Sequence, residues 1–441
     1  MNDSSLWDGY PVLASGSEIH LNKGGGFLFL NSKLYPIGRE EAEFLWRCDG
    51  SHMLREILPE IWSEDFGDFK FLMLISQLIS DNYLSLENKP IPSHIKVTGS
   101  RVSNIPPHMS IELTAGCNLR CRHCYRESDP SKDGHMPTGE LFDLLQRLAD
   151  SGLRSVELTG GEPLLHRDFK SILSFCGEKF DLVGVLSNGT LIDPDVLESF
   201  RSLKNKLVLS ISLDGSRKEI HDLRRGVSGA FDKTVKGLKL LSDGGIRVRV
   251  SMTVDEGNFF DIENTLILVK ELGAVAFSYA PVLPIGRGEI LAPSGLNLDA
   301  RQVIQVENDL ALKYKDFLAV MSDEDKYDME NGKSCGAGYR TYTMDPWGNI
   351  RPCATFSNDG MIIGNLLEKS IEEVFANPLT EALAQLPPPG VNVCGDCRFT
   401  LFCRYCAKRG FMESMKEPDC RWVRLPEAQK VLEYWNPAFN Q

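Results

Sequence analysis

The sequence predicts an α/β protein in which a parallel sheet with crossover helices is flanked by a small α+β unit and a cysteine-rich region. Three observations lead to this prediction. Six short apolar segments alternate with amphipathic helical segments between residues 109 and 282, as in a parallel sheet that is open or partly closed as a barrel. Strand-like and then helical segments fill residues 1–90. Seven of the twelve cysteines lie between residues 335 and 420.

Length, composition and charge exclude several classes of protein. The 441 residues leave room for about three domains. No segment approaches the ~18 apolar residues of a membrane span. The first residues lack the basic-then-apolar order of a signal peptide, so we expect a cytoplasmic protein with no membrane partner. The net charge of −13, with 14 acidic and 7 basic residues in the first 95, argues against a nucleic-acid partner.

Residues 1–90 are predicted to form an α+β domain. Strand-like segments at 10–14 and 26–30 precede helical patterns at 41–47, 53–58 and 69–80. The Pro-rich segment 91–107 is expected to be a linker. Residues 108–320 are then assigned to the sheet, 321–425 to a cysteine-rich domain and 426–441 to a C-terminal tail.

The parallel sheet is predicted from six candidate strands. They are Ser110–Thr114, Ser155–Thr159, Leu182–Ser187, Leu207–Leu213, Ile246–Val254 and Val275–Val282. A long helix is predicted from Asp299 to about Met321. In such folds ligands bind at the carboxyl ends of the strands.

Three cysteines follow the first of these strands with the spacing C-x3-C-x2-C: Cys117, Cys121 and Cys124. Three thiolates within eight residues can hold one cubane iron–sulfur cluster and leave one iron free. Structural zinc is the alternative, although it usually takes four ligands. Cys48 and Cys176 stand alone and are predicted to be small buried apolar residues.

This loop resembles the signature of the radical S-adenosylmethionine (SAM) enzymes, C-x3-C-x-aromatic-C, with His123 in the aromatic position. At the end of the second strand, Thr159-Gly160-Gly161-Glu162-Pro163 resembles the segment that receives the amino group of SAM in that family. Glycines let a ligand approach the backbone closely, and a glutamate can pair with an ammonium group.

Polar turns at the ends of the third and fourth strands extend the resemblance. It implies that Asn188, Ser212 and Asp214 hold polar groups of the ribose or of methionine, with Ser187 beside them, and that Arg225 holds the carboxylate. It also implies that SAM is cleaved reductively at the three-cysteine loop to a 5′-deoxyadenosyl radical, which abstracts a hydrogen atom from the substrate.

The seven cysteines near the C-terminus resemble the SPASM domain, an extension of radical SAM enzymes that houses two auxiliary [4Fe–4S] clusters. The resemblance implies one cluster on Cys394, Cys397, Cys403 and Cys420, and another on Cys335, Cys353 and Cys406. Residues 328–334 offer no fourth cysteine for the second cluster, so a substrate thiolate, a carboxylate (Asp328 or Glu330) or water is expected there. The inner gap of two residues between Cys403 and Cys406 departs from the family's usual three.

The N-terminal unit resembles the RiPP recognition element, a winged-helix-like domain that grips the leader of a ribosomally made, post-translationally modified peptide. The family binds its leader by adding a strand to a sheet edge. A DNA-reading winged helix shares the element order, but the acidic excess argues against it.

Together these resemblances imply a maturase that takes electrons from a reductant such as flavodoxin or ferredoxin and forms thioether or carbon–carbon crosslinks in a precursor peptide. Its cofactors are expected to be SAM and three [4Fe–4S] clusters. The alternatives are a maturase of a folded enzyme of the sulfatase type, a haem or quinone biosynthesis enzyme, and a non-catalytic iron–sulfur redox sensor.

Overall fold

The computed structural model describes residues 7–30, 33–61, 68–291, 300–318, 335–356, 361–403, 405–417 and 419–435. The chain divides into two compact units. Residues 1–105 with 371–376 form the first, and residues 106–370 with 377–441 form the second. In the described part of the chain no helix is long and apolar enough to cross a membrane.

The first unit packs helices against two small sheets. Strands β1 (Tyr10–Leu13) and β5 (Leu84–Glu87) pair antiparallel, and a four-stranded sheet has the order β4-β3-β2-β6. Its strands are β2 (Glu18–Asn22), β3 (Gly25–Leu30), β4 (Lys33–Gly38) and β6 (Lys96–Gly99). The helices span Arg39–Arg47, Leu54–Ile61 and Asp68–Ser80, with a further short helix at Ile371–Phe375. Ile19, Leu28, Phe44, Leu54 and Ile75 are all buried in its core.

The expected linker at 91–107 is wrong, because much of this segment is hydrogen-bonded within the first unit. Strand β6 pairs in parallel with β2. The Ser93 backbone N donates to Asp49 O at 2.7 Å, and Asn104 N donates to Phe375 O at 2.8 Å. The prolines in this segment suggested a connector. The pairing of β6 with β2 could not be predicted, because two segments distant in sequence show no local pattern that identifies them as partners.

Among the described residues, the second unit is built on one nine-stranded sheet: the six strands predicted as parallel lie side by side, and three strands of the cysteine-rich region extend the sheet beyond the first of them. Its six predicted parallel strands are present in sequence order. They are β7 (His108–Glu112), β8 (Ser155–Thr159), β9 (Leu182–Ser187), β10 (Leu207–Ser212), β11 (Val248–Val254) and β12 (Ala276–Pro281). The predicted α/β fold with a partial parallel barrel sheet is therefore confirmed.

Helices connect successive strands of this sheet. They span Thr138–Asp150, Phe169–Lys179, Pro194–Ser202, Lys218–Arg225, Ala230–Asp243 and Ile262–Glu271. Val156 and Leu158 illustrate the alternation, since both are fully buried while Glu157 between them faces the other way. The predicted helix from Asp299 is observed as Ala300–Lys313, and Asp299 and Met321 lie outside the described residues.

The cysteine-rich region continues the same sheet, so the predicted boundary at residue 320 does not separate two compact units. Strand β13 (Thr341–Met344) pairs in parallel with β7, and β14 (Asn349–Arg351) and β15 (Gly364–Asn365) follow antiparallel. Short helices complete the region: Pro378–Gln385, Val391–Cys394, Thr400–Cys403, Ala407–Ser414 and Pro426–Tyr434. The last packs against Pro378–Gln385, so the expected C-terminal tail is structured through Trp435.

Candidate active site and cysteine clusters

A cavity of about 310 Å³ opens at the carboxyl ends of the parallel strands. The sequence-predicted site residues that line it are Cys117, Cys121, His123, Cys124, Gly160, Gly161, Glu162, Ser187, Asn188, Ser212 and Arg225. Asp214 contacts this set from beneath, as described below. Pro163 is buried and begins a short 3-10 turn behind Glu162. The structure therefore brings the ends of four successive strands to one cavity, as parallel topology requires.

The three-cysteine loop is held against the helix Lys218–Arg225. Arg120 N donates to Arg225 O at 3.0 Å, and Arg122 N donates to Arg224 O at 2.8 Å. Leu119 is buried beneath the loop beside Ala230. These contacts leave the three cysteine side chains facing the cavity.

Two glycines form a cradle where the second strand meets this loop. Gly160 has φ +131°, a conformation that other residues rarely adopt. A Cβ on Gly161 would lie 1.9 Å from Gly116 O. The backbone there can be close-packed only with glycine, so the motif is required by local geometry whatever binds above it.

Glu162 is already bound by the protein. Its carboxylate accepts from Ser187 Oγ at 2.7 Å and from Asn188 N at 2.8 Å. Burial raises its pKa to about 7, although these hydrogen bonds oppose the shift. Glu162 therefore links the end of the second strand to the end of the third by hydrogen bonds. Its expected pairing with an ammonium group stays a prediction.

Asn188 faces the first cysteine. Its Nδ2 lies 3.9 Å from Cys117 Sγ and donates to Asn118 Oδ1 at 2.9 Å. Asn118 in turn donates to Thr190 Oγ1 at 2.8 Å. The sequence interpretation missed Asn118 and Thr190 as supports, because a polar residue in a loop carries no signal of its own.

Asp214 and Arg225 form a buried ion pair at the base of the cavity. Arg225 Nε lies 2.8 Å from Asp214 Oδ2, and His123 Nε2 lies 3.6 Å from the same oxygen. Burial opposes ionisation of Asp214, but Arg225 holds its pKa below the usual value. Burial also lowers the pKa of His123 to about 4, so this histidine is neutral near pH 7.

Arg225 also donates to Cys121 Sγ at 3.7 Å, a contact that the sequence did not suggest. His221 was missed as well, and its Nδ1 accepts from Asp214 N at 3.0 Å. Arg225 is thus placed between a carboxylate and a cysteine, and the carboxylate-binding role implied for it remains a prediction.

The donor set of the loop fits an iron–sulfur cluster. Burial raises the pKa of Cys117 to about 12 and raises that of Cys121. Buried thiols become thiolates readily only beside positive charge, which cluster irons supply. Leu119 N and Arg225 donate towards the two sulfurs, as do the donors that surround cluster thiolates.

The seven cysteines between residues 335 and 420 fall into two groups. Cys394, Cys397, Cys403 and Cys420 line one small pocket together with Trp422. Within the described ranges, no three His, Cys, Asp or Glu side chains are close enough to hold a single metal ion.

Cys335, Cys353 and Cys406 form the second group. Burial, together with negative charge on Cys406 and Cys335, raises the pKa of Cys353 to about 12, as expected for close neighbours. The Thr355 hydroxyl lies 2.9 Å from Cys353 Sγ. Asp328 and Glu330, the alternative fourth ligands, lie outside the described residues.

A three-thiol loop, a glycine cradle and polar strand ends around one cavity define an iron–sulfur enzyme of the α/β class that binds a small cofactor beside its cluster. The chain belongs to the radical SAM superfamily. The model of that superfamily matches residues 111–269, and the SPASM iron-sulfur cluster-binding domain matches residues 335–398. The radical SAM and SPASM resemblances are confirmed, and with them SAM and iron–sulfur clusters as cofactors.

Individual relatives are similar over different shares of the chain. The antilisterial bacteriocin subtilosin biosynthesis protein AlbA of Bacillus subtilis is 31% identical over 96% of this chain and 98% of AlbA. An AdoMet-dependent heme synthase of Methanosarcina barkeri is 28% identical over 72% of this chain and 97% of that protein. Streptococcus suis SuiB, crystallised with precursor peptide SuiA, shares the fold with a TM-score of 0.64 at 18% identity, over 95% of this chain and 100% of SuiB.

Proposed function

We propose that this radical SAM enzyme modifies a ribosomally made precursor peptide, forming thioether or carbon–carbon crosslinks. The observation that carries the proposal is the end-to-end similarity to AlbA, a bacteriocin biosynthesis protein. The fold of SuiB, a protein solved with its precursor peptide, also matches nearly the whole chain.

Haem biosynthesis is the second candidate function. The heme synthase is matched over almost its full length, yet it leaves more than a quarter of this chain unmatched. A function shared with the heme synthase would not require the part of this chain that it leaves unmatched. The similarity to AlbA extends over that part, which favours a peptide substrate.

The proposed division of labour follows the site geometry. The loop of Cys117, Cys121 and Cys124 would hold the SAM-binding cluster, which supplies, when SAM is bound, a 5′-deoxyadenosyl radical that removes a hydrogen atom from the substrate. The Gly160–Gly161 cradle packs the end of the second strand closely against the cysteine loop and so shapes the cavity. Asn188 and Arg225 orient polar groups and donate towards the cysteines.

Three clusters per chain are proposed in total, with electrons from a reductant such as flavodoxin or ferredoxin. The four-cysteine pocket offers a complete ligand set for one auxiliary cluster. The three-thiol group would leave an iron that can bind a cysteine thiolate of the substrate. Binding there would lower the thiol pKa and fix the sulfur near the reacting carbon. Reduced thiols and clusters of this kind fit a cytoplasmic enzyme.

The first unit is proposed to be a RiPP recognition element that binds the leader by strand addition at β4, the edge strand of its sheet among the described residues. Pro36 has no N–H to donate to β3, which places it at a position whose backbone polar groups point away from β3, and by alternation Leu34 and Gly38 point the same way. Pro36 has no N–H, and Gly38 N already donates to Glu41 Oε2 at 2.7 Å. An added strand would therefore be held mainly by its own N–H groups donating to β4 carbonyls.

The test uses the anaerobically reconstituted enzyme with SAM, dithionite and candidate precursor peptides taken from short reading frames near its gene. We expect 5′-deoxyadenosine together with a peptide that has lost two hydrogen atoms per crosslink. The variant with all three loop cysteines changed to Ala is the control. Release of 5′-deoxyadenosine on addition of a porphyrin, and none above background with the peptide, would overturn the proposal in favour of haem chemistry.

A further inference from the structure

Three charged side chains that take no part in the SAM site are buried together. Glu112 ends β7 and is 1% exposed. Its Oε2 atom accepts from Arg126 and from Arg351, whose side chains are 8% and 5% exposed. Among the residues that the structure describes, no hydrogen-bond partner reaches Glu112 Oε1 or the Nε atoms of the two arginines. These residues form a buried triad with a net charge of +1.

Stability alone does not account for this triad. Burying ions costs free energy that their mutual attraction only partly offsets, and apolar residues often do as well. Arginine stays protonated at neutral pH, so the triad itself keeps its net charge of +1, although the buried carboxylate of Asp345 also acts on Arg126.

The triad joins the two segments that carry the groups of three cysteines. Arg126 is two residues after Cys124, and Arg351 is two residues before Cys353. Glu112 thus ties the three-cysteine loop to the strand that leads into the group of Cys335, Cys353 and Cys406. Because these ties are short, both cysteine groups are fixed relative to the same buried charge.

Tyr125 stands between Cys124 and Arg126 in the loop, and its side chain lines the cavity. The loop therefore carries a cavity-lining cysteine and an arginine of the triad two residues apart.

A cluster bound by thiolates carries negative charge, and reduction adds one more electron. A positive charge held nearby in the protein interior stabilises the reduced form more than the oxidised form. The effect is greater than at the surface because the interior screens charge weakly.

We propose that the Glu112–Arg126–Arg351 triad is a positioning and charge-compensating element shared by the two three-cysteine groups, and that it raises the reduction potentials of the clusters bound there. This inference rests on the proposed cluster binding by these cysteines. It assigns to the triad a role in electron supply, distinct from the binding of SAM or peptide.

The test measures reduction potentials in variants that change the triad's charge in opposite directions. Glu112→Gln raises the net charge to +2, and Arg126→Gln lowers it to zero. Reduction would be followed by electron paramagnetic resonance during a redox titration, with SAM added to identify the signal of its own cluster. We expect potentials above wild type for Glu112→Gln and below wild type for Arg126→Gln.

Two further variants separate charge from shape. Arg126→Lys keeps the charge and should shift the reduction potentials less than Arg126→Gln does. Arg154→Gln removes an arginine that pairs with Asp181 just before β8, at the opposite end of the strands, and should leave the potentials unchanged. Should one glutamine variant lose its clusters, Arg351→Gln provides a second lowering of the charge.

The outcomes distinguish this inference from the proposed function. Full iron content with no shift, or shifts of the same sign in the oppositely charged variants, would overturn the inference and leave the cluster assignments standing. Wild-type protein whose iron and spectra show no cluster at Cys335, Cys353 and Cys406 would overturn the cluster assignment itself.

Discussion

The carboxyl-end cavity and the N-terminal unit represent two ways in which a sequence encodes function. At the cavity, chemistry depends on a few side chains, each at the end of a particular strand, and spacing in the sequence reveals them. In the N-terminal unit the proposed binding depends on backbone groups along the edge of β4. Every sequence that forms this strand supplies such carbonyl groups.

The difference appears in how each region tolerates change. A cysteine or a glycine at the cavity cannot be replaced without loss of a ligand or a steric clash. Along β4, most side chains can change while the carbonyls remain. We therefore expect large effects of single substitutions at the cavity and small, additive ones in the N-terminal unit.

The largest expected effect is loss of SAM cleavage when the loop cysteines are removed. Changing Cys117, Cys121 and Cys124 to Ala should reduce 5′-deoxyadenosine formation to background, because no other thiol faces that part of the cavity within the described residues. Iron content should fall by one cluster of three. The matched control is Cys176→Ala, a buried cysteine in a crossover helix, which should keep full iron content. Normal cleavage by the triple variant would contradict the assignment.

Much of this cavity could be predicted from the sequence because each part needs a particular residue type at short range. Cys117, Gly161 and Asn188 were found in this way. Their supports were not: His221 and Asn118 act through contacts that have no fixed spacing. The pairing of β13 with β7 was also missed, because it joins segments far apart in the chain whose apolar patterns do not identify a partner.

The N-terminal unit shows the same limit more strongly. Its helices and the strands β1 and β3 were predicted from the apolar pattern, but β2 was not, and β6 was assigned to a linker. A parallel strand pair between 18–22 and 96–99 depends on the whole unit being folded.

Glu112 in the second unit illustrates the same limit at a buried site, because nothing in its local sequence indicates two arginine partners.

The second prediction tests the glycine cradle. Gly161→Ala should weaken SAM binding and lower the free energy of unfolding by about 1–3 kcal/mol, because the new methyl group meets the Gly116 carbonyl. SAM titration and denaturant unfolding measure the two effects. Gly139→Ala is the matched control: it lies in the helix Thr138–Asp150 with no atom within 4 Å of the new Cβ, and it should cost nothing. Equal behaviour of the two variants would show that the cradle adjusts freely.

The third prediction examines the β4 edge. Leu34→Pro removes the remaining outward N–H of this strand, while Leu34→Ala keeps it. Loss of one hydrogen bond of about 0.5–1.5 kcal/mol should weaken leader binding roughly 2- to 10-fold in the proline variant alone. Fluorescence anisotropy with a labelled leader provides the affinity. A larger loss in the alanine variant would indicate that side-chain pockets, rather than the strand edge, hold the leader.

The smallest expected effect is electrostatic and concerns the acidic excess of the N-terminal region. With 14 acidic and 7 basic residues in the first 95, a leader that carries Lys or Arg should bind more tightly at low than at high ionic strength. Exposed charge pairs contribute about 0.2–1 kcal/mol each, so the change should be a few-fold at most. Screening shortens to about 8 Å near physiological salt, which removes the long-range part first. A leader with its basic residues changed to Gln should bind with the same affinity at all salt concentrations. If the basic leader is equally insensitive, strand addition and apolar contacts alone determine recognition.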